Sequence, residues 1–244
     1  GLRTALVERE QLGGLCLASG CVPVKALIES VRLFRRMGQA ADWGIEGLDP
    51  AAIRFDWAGA VRRATGIATR LGDEIAARLH KHGVERLQGE ATILGSDGVQ
   101  VDGRPFATRA VLIATGSRFE ASRVPLPPDR VWTPYDLLRQ EVLPGALAVL
   151  GQGGNAVELA QLLRLAGHDI TLACPEERLL PDLDPVLEDA LATRLARDGV
   201  RLERNMALDG WEDGTARAGA RSFPADAVVL ATRRTGVIPV SRVF

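Results

Sequence analysis

Residues 146–150 (ALAVL) form an apolar run that passes directly into Gly151-Gln152-Gly153-Gly154-Asn155-Ala156 and then into helix-patterned residues through 166. A short buried strand that ends in glycines and opens a helix is half of a crossover unit. Such units build parallel sheets with helices on both faces. The pattern recurs, with a second apolar run at 169–173, a helix over 185–197 and strands near 200–204 and 225–231. Strands alternating with helices predict an α/β fold on a parallel, doubly wound sheet.

The first half of the chain carries a looser version of the same plan. Residues 3–8 (RTALVE) read as a short buried strand ending in the acid Glu8. After a glycine-rich turn, residues 22–37 place Val22, Ala26, Leu27, Val31, Leu33 and Phe34 at helical spacing. Residues 55–80 predict a second amphipathic helix, with Asp56 as its N-cap and Gly83 as its stop. From 84 to 114 the period shortens around Gly and Asp-Gly breaks, which predicts a small antiparallel meander leading into an apolar strand at 110–114. The Pro-rich stretch 124–128 predicts a surface connection. The boundaries expected are a first domain over 1–143, a second over 144–232 and a divergent tail over 233–244. Each of the two domains contains a strand–turn–helix and an apolar strand near its end.

A chain of 244 residues is long enough for two such domains, each with its own core. A net charge of -1 supplies no electrostatic reason for nucleic acid or an anionic membrane as partner. The longest uninterrupted apolar runs are strand-sized, and the first residues lack the pattern of a signal peptide. Three cysteines do not make a disulfide framework, which favours a reducing compartment and predicts a cytoplasmic protein. In that setting a close cysteine pair is catalytic or metal-binding more often than structural.

Cys16 and Cys21 make such a pair, within Gly13-Gly14-Leu15-Cys16-Leu17-Ala18-Ser19-Gly20-Cys21-Val22-Pro23-Val24-Lys25. A regular helix would hold their α-carbons too far apart for a disulfide, which needs roughly 4.4–6.8 Å. Gly20 supplies the freedom to bend the segment. Cys21 opens the predicted helix, where free amides and the dipole favour a thiolate. Spacing alone suits two reduced, buried cysteines equally well. A zinc site is disfavoured, because other His and Cys residues are distant in sequence, and no metal is expected.

The segment resembles the redox-active stretch GGTCxxxGCxPSK of the flavoprotein disulfide reductases, which include dihydrolipoamide dehydrogenase, glutathione reductase and mercuric reductase. The resemblance runs over essentially the whole chain. Glu8 matches the acid that binds the FAD adenosine ribose, and Gly13 and Gly14 match the glycines of the flavin site. Ala114-Thr115-Gly116-Ser117 matches the ATGS segment that closes the FAD domain. Gly151, Gly153, Gly154 and Ala156 match the NAD(P) fingerprint, whose glycines let a pyrophosphate approach a helix N-terminus. A structural strand-to-helix turn is the plain alternative for that motif. Arg178-Leu179-Leu180-Pro181 and Asp184 match a segment later in the nicotinamide domain. Glu158 matches a glutamate that pairs with the lysine after the redox cysteines, here Lys25. Partial burial is expected to make that pair stronger than a surface one.

The resemblance therefore implies two Rossmann-like units, for FAD and for NAD(P), incomplete at both ends. It also implies electron flow from NAD(P)H through FAD to a Cys16–Cys21 disulfide and on to a dithiol or disulfide substrate. Cys21 would face the flavin and Cys16 would exchange with substrate. A homodimeric parent is implied as well. The departures are Leu15, Ala18 and Val24, where the family has Thr, Asn and Ser, and Cys174, where an acid would select the NAD ribose. The chain begins about one strand and one helix later than the family pattern and stops before its interface domain. A dihydrolipoamide dehydrogenase-like enzyme is the leading expectation. A mercuric reductase-like enzyme, a non-catalytic nucleotide-binding remnant and a thiol-independent flavoprotein are the alternatives.

Overall fold

The computed structural model describes residues 2–95, 98–119 and 126–239. By contacts the chain forms two compact units, one of residues 1–23, 65–118 and 235–244, the other of 24–64 and 119–234.

In the first unit, β1 (Ala5–Glu8) is followed by a short helix α1 (Gly14–Ala18) and the start of α2 (Cys21–Gly38). The expected long helix is α3 (Trp57–Lys81), and the Gly59 N–H donates to its N-cap Asp56 Oδ1 at 2.9 Å. β2 (Glu85–Gln88) pairs with β1 in parallel, so it is not part of the meander expected from the sequence. The meander itself is β3 (Ala91–Gly95), β4 (Gly98–Val101) and β5 (Arg104–Ala107), antiparallel throughout. Asp102 and Gly103, with φ of 46° and 85°, turn β4 into β5 as the Asp-Gly signal predicts.

The apolar strand expected at 110–114 does not form. Its residues join no ladder among the described ones, and Leu112 is 92% exposed. A strand exists only where a neighbour accepts its backbone hydrogen bonds, and apolar composition cannot supply that neighbour. A separate two-stranded sheet joins β6 (Ser117–Phe119) to a late strand near residue 235. Residues 124 and 125 of the Pro-rich stretch, and residues 240–244 of the tail, lie outside the described residues.

The second unit holds the larger core. After β7 (Val131–Trp132) and α4 (Pro134–Leu137), β8 (Ala146–Leu150) leads through the glycine turn into α5 (Gly154–Leu165). Then come β9 (Asp169–Ala173), α6 (Pro185–Arg197) and β10 (Arg201–Glu203). β11 (Gly210–Glu212), β12 (Thr215–Ala218) and β13 (Arg221–Pro224) form an antiparallel meander that the sequence reading did not anticipate. β14 (Ala227–Leu230) returns to the main sheet, and β15 (Arg234–Gly236) is the partner of β6. The main sheet has the order β10-β9-β8-β14-β7 and is parallel at every pairing. Strands β8 and β14 at its centre are uninterrupted apolar runs, as expected of strands covered on both faces, and the neighbouring β9 is interrupted only by the buried Thr171 after its first residue. Leu147, Val149, Leu172, Val228 and Leu230 are wholly buried, as are Leu162, Leu163 and Leu195 from the helices. At about 25 cal/mol per Å² of apolar surface, burial of this kind is the main force holding the unit together.

One stretch, Gly14–Gly38, passes a simple length-and-hydropathy test for a membrane span, with mean hydropathy 1.4. It is two helices rather than one, interrupted at Ser19 and Gly20, and it carries Lys25, Glu29, Arg32, Arg35 and Arg36. Those charges mark α2 as an amphipathic helix with one face on a core, where Leu27 and Val31 are buried.

Candidate redox and nucleotide sites

The cysteine pair sits where two helices meet. Cys16 lies in α1, and Cys21 is the first residue of α2. Between them the chain breaks, with Ser19 leaving helical geometry at φ -154° and its N–H donating to the Leu15 carbonyl at 3.0 Å. Gly20 works here by its missing side chain, not by unusual backbone angles. A Cβ on it would stand 2.8 Å from the Leu15 carbonyl oxygen and 3.3 Å from the Cys16 Cα. That close approach folds α1 back onto the mouth of α2.

Both thiols are free and exposed, and they interact. The Cys16 thiol is raised above the ordinary cysteine range, first by its hydrogen bond with the Cys21 side chain, then by burial and by the Cys21 charge. The backbone N–H groups of Cys21 and Val22, free at the first turn of α2, pull in the other direction. The two thiols therefore interact at the first turn of α2, and at Cys16 the neighbouring sulfur outweighs the helix amides. Of the alternative of two reduced, buried cysteines, the burial does not hold, since both thiols are exposed.

Around the pair, Gly13 and Gly14 expose their backbone, with Gly13 capping α1 in a left-handed conformation at φ 97°. Glu8 ends β1, and its Oε1 accepts the Glu10 N–H at 3.0 Å. Ala114, Thr115 and Gly116 are exposed; the Thr115 hydroxyl donates to the Val237 carbonyl at 2.6 Å, and the Val237 N–H donates to Gly116 at 2.9 Å.

The second unit contains the other two groupings. Lys25 Nζ lies 2.5 Å from Glu158 Oε1, so the ion pair expected from the sequence is present. Its side chains are 58% and 40% exposed, which corrects the expectation of partial burial; an exposed pair contributes about 0–1 kcal/mol. The Gly151 turn is tight. A Cβ on Gly151 would come within 2.4 Å of the Ala231 carbonyl oxygen, and Ala156 beneath it is fully buried. Gly153 and Gly154 instead face open space at the start of α5. Together with Leu180, Pro181, Asp182 and Leu183 they line a concavity of about 410 Å³.

The loop on the far side of that concavity is organised by Glu188, which sequence reasoning did not identify. Glu188 is 3% exposed and takes Arg178 Nε on Oε2 at 2.7 Å, with Arg204 Nη1 on Oε1 at 2.7 Å and the Leu179 N–H on the same oxygen at 2.9 Å. The Arg178 hydrogen bond, opposed by burial and reinforced by Arg204 and the Leu179 amide, holds its carboxyl down at about 2. No sequence signal marks it, because one glutamate on an amphipathic helix looks like any solvated charge. Cys174, at the end of β9, is wholly buried, and burial pushes its thiol up. His168 Nδ1 lies 2.9 Å from the Pro144 carbonyl oxygen in a helix-to-strand turn. Among the described residues no cluster of His, Cys, Asp or Glu suits a metal.

The sequence profile of the pyridine nucleotide-disulphide oxidoreductases matches residues 1–243. Dihydrolipoyl dehydrogenase of Acholeplasma laidlawii is 31% identical over 207 residues, covering 83% of this chain and 61% of that protein. Mercuric reductase of Bacillus cereus is 31% identical over 202 residues, covering 82% of this chain and 32% of the relative. Among solved structures, the HOCl-induced flavoprotein disulfide reductase RclA from Escherichia coli superposes with a TM-score of 0.81 at 22% identity, over 97% of this chain and 52% of its own. The chain thus spans between a third and about three fifths of the length of these relatives. By its profile match across nearly every residue, the chain belongs to the pyridine nucleotide-disulphide oxidoreductase family.

Proposed function

We propose that the protein containing this chain is a flavoprotein disulfide oxidoreductase that carries electrons from a reduced nicotinamide nucleotide to Cys16 and Cys21, and on to a dithiol or disulfide substrate. The observation that carries this reading is the placement of two free, exposed cysteines on either side of the break between α1 and the mouth of α2. Two cysteines at a chain break, exposed and within reach of free helix amides, suit thiol–disulfide exchange.

The residues present fit both nucleotides. For NAD(P), Gly153 and Gly154 leave their space open at the N-terminus of α5, and the concavity beside them is lined by residues 180–183. For FAD, Glu8 offers a carboxylate at a strand end and Gly13 and Gly14 offer exposed backbone, while Leu15 adds no hydrogen-bonding group. When bound, the flavin would supply two-electron transfer between the nicotinamide and the cysteine pair. In the reducing direction, the Cys16 thiolate attacks a substrate disulfide and expels one substrate thiolate, forming a mixed disulfide. Cys21 then attacks Cys16 Sγ, expels the second substrate thiolate and leaves a Cys16–Cys21 disulfide; the two thiols have lost two electrons and the substrate has gained them. Lys25 and Glu158 are the proposed charge-stabilising pair in α2 and α5.

The substrate is proposed to be a lipoyl-type disulfide–dithiol couple, whose disulfide accepts electrons in the direction just written and whose dithiol donates them in the reverse direction, following relatives such as that of Acholeplasma laidlawii. A mercuric reductase-like role is the second reading, favoured by equal identity to the Bacillus cereus protein. Anaerobic addition of reduced nicotinamide nucleotide to the purified yellow protein tests the first step. A long-wavelength absorbance band is expected, and Cys21→Ser should abolish it while flavin is retained. Undiminished disulfide reduction by a Cys16→Ser/Cys21→Ser variant would refute the thiol mechanism.

A further inference from the structure

In a nucleotide-binding sheet of this kind, the end of the second strand and the loop after it face the adenosine ribose. A carboxylate there takes the 2′-hydroxyl of NAD, and an available arginine takes the 2′-phosphate of NADP. The strand-end residue here is Cys174, wholly buried, with its thiol donating to the Arg178 carbonyl at 3.6 Å. It reads neither form. The loop that follows is nonetheless fixed beside the glycine turn, because the Gly151 N–H donates to the Ala173 carbonyl at 3.0 Å and the Leu180 N–H to the Gln152 carbonyl at 2.8 Å.

Three arginines belong to this region, and all are engaged; Arg221 donates through Nη2 to the Arg204 and Asn205 carbonyls at 2.9 and 2.7 Å and lies 3.6 Å from Glu203. Arg178 donates through Nε to Glu188 at 2.7 Å and through Nη2 to the Leu183 carbonyl at 2.9 Å. Arg204 donates through Nη1 to Glu188 at 2.7 Å and to the Glu177 carbonyl at 2.5 Å. Glu188 is itself buried, and releasing a guanidinium removes a charged partner from a carboxylate in the interior, which costs stability. The charges at the loop surface are all carboxylates: Glu176 and Glu177 directly after the strand end, both exposed and neither in an ion pair among the described residues, then Asp182 on the concavity and Asp184, which caps α6. A carboxylate accepts from a ribose hydroxyl and repels a phosphate dianion.

We infer that this loop selects NADH over NADPH, with Glu176 and Glu177 as the specificity-determining residues and Glu188 as the positioning residue that withholds Arg178 and Arg204. The inference rests on the nucleotide reading of the Gly151 turn. It differs from the family pattern in using loop carboxylates in place of a strand-end acid.

Calorimetric titration of the purified protein with NADH and with NADPH measures this without turnover. NADH is expected to bind at least about tenfold more tightly. Exchanging both exposed glutamates, in Glu176→Arg/Glu177→Arg, should reverse the preference. Glu188→Gln, with folding checked by circular dichroism, should raise NADPH affinity several-fold by loosening the two guanidiniums; the surface exchange keeps the test decisive should that variant fail to fold. Equal or tighter binding of NADPH by the unaltered protein, or an unchanged preference in the double exchange, would overturn the inference and leave the nucleotide reading standing. Binding of neither nucleotide would overturn the nucleotide reading of the turn, and this inference with it.

Discussion

Val111-Leu112-Ile113-Ala114-Thr115 and Val228-Val229-Leu230-Ala231-Thr232 are nearly the same sequence, yet they meet opposite fates. Val228 to Leu230 are wholly buried in β14, bonded to β8 on one side and, at Val228 and Val229, to β7 on the other. Residues 111–113 join no ladder among the described residues and are exposed. Apolar β-branched composition thus records fitness for a sheet interior, while the sheet itself depends on partners that the segment does not encode. Amide hydrogen exchange gives this contrast its largest expected signal. Residues 228–230 should exchange at least about a thousandfold more slowly than 111–113, because only the former require unit-wide opening. Equal protection would mean that residues 111–113 have found a partner.

Charge insertion sharpens the same contrast. Val229→Asp places an unpaired carboxylate between two strands and should cost more than about 4 kcal/mol, unfolding the second unit. Leu112→Asp should stay within about 0.5 kcal/mol of the parent, because the side chain is already in water. Thermal melts of the two variants decide it. A large loss at Leu112 would break the comparison.

The contrast also accounts for what the sequence could and could not disclose. The bounds of β8, β9 and α6 agree with the residues read from the sequence, since their partners and stops lie close by and Asp184 caps α6 through the Val186 N–H. The three-stranded meander of β11 to β13 escaped notice although Asp213-Gly214 offered a hairpin turn, with φ of 45° and 76°; its strands are too short for alternation to stand out. The pairing of Lys25 with Glu158 spans 133 positions and was legible only through resemblance. Glu188 escaped entirely, because what distinguishes it is two arginines brought from other elements by the tertiary fold. Its acid response should nonetheless be visible. With its carboxyl held down at about 2 against a usual value near 4.5, it stabilises the fold above that usual value. This stabilisation is lost as pH falls toward 2, so Glu188→Gln should flatten the acid limb of the melting curve between those values.

One turn glycine, Gly116, follows the first matched segment and another, Gly151, packs against Ala231 of the second, and the two predict a smaller difference. Gly151→Ala would force a Cβ to 2.4 Å from the Ala231 carbonyl oxygen, at a φ of 154°, and should cost about 3 kcal/mol. Gly116→Ala meets nothing within 4 Å and carries only the penalty of a φ of 74°, about 1 kcal/mol. Denaturant midpoints that rank the two the other way would show that the second unit can relax around its glycine turn, which its buried neighbours argue against.

The smallest expected effect uses one thiol in each unit as a reporter. Cys16 and Cys174 are both raised, but for different reasons, the first chiefly by its bond to the Cys21 side chain and the second by burial. Removing that partner in Cys21→Ala takes away the leading cause at Cys16 and leaves the amides at the mouth of α2, which favour its thiolate. The pH midpoint for alkylation of Cys16 should therefore fall, and its rate near pH 7 should rise. Cys174 should stay unreactive in both proteins until the second unit unfolds, since access rather than ionisation limits it. An alkylation profile of Cys16 unchanged by Cys21→Ala would mean that the two sulfurs act independently in solution, and the exchange chemistry would then lose its resolving thiol.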